Sequence, residues 1–146
     1  MNIVRQKVSN QKLEGDKMTL FEKIINREIP AHILYEDDKT LAFLEIYPAM
    51  PGHTLVIPKN PVEFVWDLPT DDYGALLLAT KKIALNMRQK LPQQYVHMSV
   101  VGTDVPHAHI HLVPFDVSAD FHKPDRTKQE PDHEKLAAMA EILRFS

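Results

Sequence analysis

Between Pro106 and Pro114 the chain reads Pro-His-Ala-His-Ile-His-Leu-Val-Pro, with histidine at positions 107, 109 and 111. Successive side chains of a strand point to opposite faces. The pattern therefore separates His107, His109 and His111 from Ala108, Ile110 and Leu112. A strand is expected here, with one apolar face against a core and one face of imidazoles. Whatever fold the chain adopts has to offer a sheet position with two unlike sides at this point.

The rest of the chain supplies further strands. Thr19 suits the N-cap of a short helix from Leu20 to about Arg27, closed by Pro30. His32 to Ile46 reads as two strands around a turn at Asp37-Asp38-Lys39. Leu41, Phe43 and Glu45 face one way, and Ala42, Leu44 and Ile46 the other. A loop over 47–52 with two prolines and a glycine leads to a strand from His53 to Pro58. Pro61 to Trp66 is expected to form a single helical turn. Thr70 or Asp71 then caps a long helix to about Lys90, with acid first and base last as the helix dipole favours. Leu76, Ile83, Met87 and Leu91 mark its buried side. Tyr95 to Val101 alternates as a strand, with Val96, Met98 and Val100 on one side. An irregular connection over 115–129 precedes a last helix, Asp132 to Phe145, with Leu136, Met139, Ala140 and Leu143 inward. Short turns between strands and few helices favour an antiparallel sheet with helices packed on it, an α+β domain.

Composition removes several classes of function. The 146 residues carry 17 Lys plus Arg against 20 Asp plus Glu, a net charge of −3. That balance offers no basic field for long nucleic acid. No stretch approaches the ~18 apolar residues of a membrane span. Residues 1–17 lack the apolar run of a signal peptide and read as a polar arm. They precede a domain over 18–115, with a helix-bearing C-terminal extension over 116–146. The absence of cysteine excludes disulfides, a thiolate nucleophile and cysteine-held zinc, and fits the cytoplasm.

Three imidazoles on one face have three readings. They can decorate a solvated strand. They can ligate zinc or iron, although no Asp or Glu alternates with them to complete the usual set. Or one can attack phosphorus while its neighbours orient it and handle protons.

The stretches FEKIINREIPAHILYEDDKTLAFLEIYPAMPGHTLVIPK and PHAHIHLVP, in that order, resemble the histidine-triad (HIT) family. Within it the likeness is to the branch of Hint nucleoside phosphoramidases and bacterial nucleotide hydrolases. It spans residues 19 to 115. The resemblance implies a five-stranded antiparallel meander sheet with packed helices. It implies a homodimer whose two sheets join, with the long helix and the 95–101 strand at the interface. The implied activity is a nucleotide hydrolase or transferase that cleaves the α-phosphate of nucleoside monophosphate conjugates. Phosphoramidates and dinucleoside polyphosphates are the candidate substrates, a purine nucleotide being the expected partner, and a covalent nucleotidyl-histidine the intermediate. No cofactor is implied.

Carried over by position, His109 matches the nucleophile, and His107 and His111 the neighbours that orient it and bind phosphate. His53 matches a fourth histidine on another strand. Phe21, Ile24, Ile29, Phe43 and Leu55 would wall the base pocket, with Ile46 also at the nucleotide. Glu45 stands where an aspartate usually holds the ribose hydroxyls. The Gly-rich loop before the triad is shortened to SVVGTDVP, with Thr103 and Asp104 at its Gln and Ser positions. Thr103 is expected near the nucleotide, and Asp104 is unfavourable beside an anion. Where some relatives carry a zinc-binding Cys-x-x-Cys, this chain has Thr19 and Glu22, so no metal site is expected. His32, His97, His122 and His133 match no motif and are expected to be ordinary exposed or half-buried residues. Two rivals stay open: a metal-dependent hydrolase built on the histidine strand, and a nucleotide sensor with vestigial catalysis, suggested by the trimmed loop.

Overall fold

The computed structural model describes residues 18–121 and 129–145. The expected polar arm, His122 and residues 123–128 of the connection lie outside these.

Thr19 caps helix α1 (Leu20–Ile25). Its hydroxyl accepts the Glu22 N–H at 3.1 Å, and the Glu22 carboxylate takes the Thr19 N–H at 3.4 Å. Such a reciprocal cap stabilises a helix start by about 1 kcal/mol. The helix stops at Ile25, short of Arg27, because Arg27 turns to φ 64. Strands β1 (Ile33–Glu36) and β2 (Thr40–Leu44) follow. Asp37 holds their turn: one carboxylate oxygen accepts the backbone N–H of both Lys39 and Thr40 at 2.8 Å. Next come β3 (Thr54–Pro58), a 3-10 turn at Val65–Asp67, α2 (Thr70–Lys90), β4 (Tyr95–Ser99), β5 (Ile110–Phe115), a 3-10 turn at Ser118–Phe121, and α3 (His133–Leu143).

The strands form one antiparallel sheet in the order β1-β2-β3-β5-β4. The α+β antiparallel class expected from the sequence stands. The meander runs in chain order only through β3. Helix α2 then crosses the sheet and the chain re-enters at the far margin as β4, leaving the position beside β3 for β5. Two local expectations also shift. The N-cap of α2 is Pro69, with no side-chain cap, rather than Thr70 or Asp71. Asp72 in its first turn instead accepts from Lys39 Nζ at 3.3 Å and Asn60 Nδ2 at 2.8 Å. Strand β4 ends at Ser99; Val100 and Val101 are exposed as the chain turns through Gly102 at φ 76.

The sheet is covered on both faces. Ala42, Leu44, Val56, Ile110 and Leu112 meet Leu76, Ile83 and Met87 of α2 and Leu136, Ala140 and Leu143 of α3. Leu41, Phe43, Leu55 and Ile57 on the other face meet Phe21 and Ile24 of α1. Full burial of one such side chain contributes roughly 1.5–3 kcal/mol. At the β1 margin the C-terminus lies along the strand: Phe145 N–H donates to Leu34 O at 2.9 Å and Arg144 Nε–H to Ile33 O at 3.1 Å. No helix among the described residues is long and apolar enough to cross a membrane.

Candidate active site

The ladder of β5 begins only at Ile110, so His107 and His109 lie in the chain leading into the strand. Alternation nonetheless holds, since Ala108, Ile110 and Leu112 are in the core beneath α2. The imidazole face is not solvated: His107 is 0% and His109 4% exposed. The cause is α1, whose Phe21 ring sits edge-on at 5.8 Å from His107 and 5.1 Å from His109.

Each ring is oriented by a hydrogen bond. Nε2–H of His107 donates to Pro58 O at 2.8 Å, fastening the entry of β5 to the end of β3. Nδ1–H of His109 donates to the carbonyl of His107 at 2.7 Å. In the neutral ring this leaves the lone pair on Nε2. His107 thus acts on His109 through its backbone, while its own ring is enclosed. The ring was expected to contact phosphate; its burial leaves His109 and His111 as the imidazoles nearer the open side.

His53 and His111 form a second unit. Gly52, at φ 97, makes the turn before His53; a Cβ there would meet Leu91 at 3.1 Å and Pro114 at 3.2 Å. The Ala49 N–H donates to Nδ1 of His53 at 3.1 Å. Neutral His53 therefore carries its proton on Nε2, which donates to Nδ1 of His111 at 3.0 Å. That in turn fixes the proton of neutral His111 on Nε2. A chain of donors runs from the Ala49 backbone amide through two rings to the Nε2–H of His111.

The electrostatics agree with neutral rings. Burial, then repulsion from His111 and His97, lowers the His53 pKa to about 3. Burial and the neighbouring His109 bring His111 to about 4, against an opposing pull from Asp104. Burial also lowers His109, opposed by the His107 carbonyl and by Asp104. Asp104, unfavourable beside an anion in the sequence reading, thus favours imidazolium on both rings.

Phe21, Ile24, Ile29, Phe43 and Leu55, read as base-pocket walls, pack into one cluster beside the triad, joined by Leu41, Ile57 and Val105. Ile46 is not brought to that cluster; it packs against the core on the α2 side. Glu45 and Ile46 instead line a cleft of about 300 Å³ with His53, Leu136, Met139 and Ile142. Burial raises the Glu45 pKa, against the Tyr47 N–H that its carboxylate accepts at 3.3 Å; Asp104 adds to the rise. Thr103 is exposed, its hydroxyl 3.5 Å from Asp104 Oδ1.

Sequence reading attached no role to the other histidines. His32 Nε2 lies 3.0 Å from His133 Nδ1. His97 of β4 stacks on Phe121 at 3.9 Å, and lies on the triad's side of the sheet because it pairs with Val113, two residues after His111. The period-two pattern of β4 carried that signal, but it required knowing that β4 pairs with β5.

Residues 26–117 match the HIT domain family. This chain belongs to the HIT family. It is 39% identical over 101 residues to an uncharacterized HIT-like protein of Methanocaldococcus jannaschii, covering 66% of this chain and 78% of that one. Among solved structures it is similar to a HIT-like protein involved in cell-cycle regulation from Bartonella henselae, with a TM-score of 0.73 at 30% identity over 86% of this chain and 94% of that one. A hypothetical histidine triad nucleotide-binding protein from Sulfolobus tokodaii also has a TM-score of 0.73, at 29% identity over 85% and 88%. HIT membership points to nucleotide binding and to hydrolase or transferase chemistry. A HIT-type zinc site on α1 does not fit the donors present. Thr19 and Glu22 are hydroxyl and carboxylate, each already bonded to the other's backbone N–H.

Proposed function

We propose that this chain is a nucleotide hydrolase or transferase that cleaves nucleoside monophosphate conjugates at the α-phosphate through a covalent nucleotidyl-His109. The observation that carries this reading is the 2.7 Å hydrogen bond from His109 Nδ1–H to the His107 carbonyl, which leaves the Nε2 lone pair for phosphorus. In the first step that pair forms the N–P bond while the bond from phosphorus to the leaving group breaks. A phosphate leaving group departs with the bonding pair as an anion; an amine departs after taking a proton from water. The new imidazolium keeps its bond to the His107 carbonyl. The outward N–H of His111, held by His53, donates to a phosphoryl oxygen as charge grows there. Water then attacks phosphorus, the N–P pair returns to His109 Nε2, and the water proton leaves to solvent. No cofactor enters these steps.

The cluster of Phe21, Ile24, Ile29, Phe43 and Leu55 supports a base site, with a purine nucleotide as the expected ligand; the reading gives the ribose to Glu45, which shares a cleft with His53. A metal-dependent reading fits less well. Five ring nitrogens of the four histidines are already engaged with backbone groups or with each other. The reading includes a homodimer joined along β4, whose Tyr95 and Met98 are 48% and 52% exposed, as are Leu78 and Leu85 of α2 at 66% and 50%. The reading includes a cytoplasmic location, with which the cysteine-free composition is compatible.

The test is a panel of adenosine phosphoramidates and dinucleoside polyphosphates, with and without chelator, with intact-mass detection of a nucleotidyl adduct. Turnover that survives chelator, with an adduct mapped to His109, is expected. Activity abolished by chelator would favour the metal reading, and tight nucleotide binding without turnover the sensor reading.

A further inference from the structure

Helix α3 lies outside the stretch that matches the HIT domain, which ends at residue 117. It nonetheless completes a cleft with residues inside that stretch. Ile46, Pro48 and Pro51 form one wall of this space of about 300 Å³, and Leu136, Met139 and Ile142 of α3 the other. Both walls are aliphatic. Glu45 and His53 line the same cleft, so it is continuous with the paired rings of His53 and His111. The other charged residues on its lining, Asp132 and Lys135, are exposed at the start of α3.

Both walls are anchored. At the start of α3, Nδ1 of His133 lies 3.0 Å from Nε2 of His32. At its end Asn86 Nδ2 donates to Leu143 O at 2.7 Å, and Arg144 and Phe145 bond to β1. The loop wall is held by Gly52, packed closely on Leu91 and Pro114, and by the His53 N–H, which donates to Met50 O at 3.0 Å. Small-molecule subsites have this form: a largely preformed apolar space with a few polar groups at one side.

We propose that the cleft is a subsite for a substituent on the ribose, and that it takes a short aliphatic chain, acyl or alkyl, on the 2′- or 3′-oxygen of the nucleotide. This rests on the reading of Glu45 as the ribose acceptor. Oε1 of Glu45 already accepts the Tyr47 N–H at 3.3 Å. Its other oxygen suffices for one hydroxyl of the diol. The neighbouring sugar oxygen then needs no partner from Glu45 and carries the chain between the loop and α3, where burial of methylenes stabilises it.

Isothermal titration compares the 3′-O-methyl and 3′-O-butyl ethers of AMP, and the matching pair of 2′-ethers. Within each pair the sugar loses the same hydroxyl, so the difference reports the chain alone. In one of the two series wild type should bind the butyl ether about tenfold more tightly than the methyl ether, less than full burial of three methylenes would give. Ala138→Phe, which puts a ring on the cleft lining from an exposed position of α3, should bring that ratio near one. Ile142→Ser should lower it. A wild-type ratio near one in both series overturns the proposal. So does a ratio that both variants leave unchanged, since the chain then lies elsewhere. Failure of the nucleotide reading looks different and takes the subsite with it: unmodified AMP does not bind, and neither does any of the ethers.

Discussion

Nε2 of His53 lies 3.0 Å from Nδ1 of His111, across 58 residues of sequence. Because His53 Nδ1 is already taken by the Ala49 N–H, the direction of this bond is set. His111 receives at one nitrogen and donates from the other. Replacing His53 by Ala should release His111 to either tautomer. Since losing one donor to a transition-state oxyanion lowers kcat by roughly 10²–10³, kcat should fall toward that range in His53→Ala, with a smaller change in KM. Equal loss in KM alone would mean that His53 serves binding rather than orientation.

His109→Ala should abolish turnover by several orders of magnitude while keeping the fold and nucleotide affinity. The ring touches Phe21 edge-on but lies outside the sheet ladder. Isothermal titration with a nucleoside monophosphate, beside an activity assay, separates the two effects. Near-normal turnover would remove His109 as nucleophile.

Glu45 can be tested through the sugar. A hydrogen bond to a charged acceptor contributes roughly 1.5–3 kcal/mol. Glu45→Gln should therefore lower the ribo-over-2′-deoxy ratio of kcat/KM by about tenfold or more. A wild-type ribose preference that survives in the variant would assign Glu45 to the cleft beside α3 instead.

Acid should weaken the fold through the same histidines. Free imidazole titrates near 6.5, whereas folded His53 and His111 titrate at about 3 and 4. Between those values the unfolded chain binds protons that the folded chain refuses. The contribution is whole above pH 6.5 and declines as pH falls, by at most about 1.4 kcal/mol per pH unit for each group. Tm should drop between about pH 7 and about pH 4.5, and less steeply in His53→Gln. Parallel curves for the two proteins would show that the acid sensitivity arises elsewhere.

Light scattering at micromolar concentration tests the dimer. Wild type should be dimeric, and Met98→Glu, which puts a charge on the β4 margin, should be monomeric. A fully active wild-type monomer would contradict the joined-sheet arrangement.

Much of this could be read from residue order. The Thr19 cap, the Asp37 turn and the division of Leu41 and Phe43 from Ala42 and Leu44 are local patterns, and the structure repeats them. The placing of β5 between β3 and β4 is not local, because alternation names a strand's faces and not its neighbours. The burial of His107 was hidden for a related reason: α1 covers it from 86 residues earlier in the chain. Ile46 was placed at the nucleotide by resemblance, whereas the period-two pattern puts it with Leu44, and it packs on that side of the sheet. The expected cap of α2 missed by a residue or two: the helix already begins at Thr70, so its N-cap is Pro69, which has no side-chain acceptor to offer.

The C-terminus has a consequence for assembly. With Phe145 and Arg144 bonded to the carbonyls of Leu34 and Ile33, the β1 margin is occupied by the chain itself. Lateral pairing is left to β4. A unit with one adhesive side and one sealed side can pair about a twofold axis, and then both adhesive sides are consumed. In the dimer proposed above, Arg144 and Phe145 would act as a terminator, setting the count at two where a sheet open at both margins could polymerise into a ribbon.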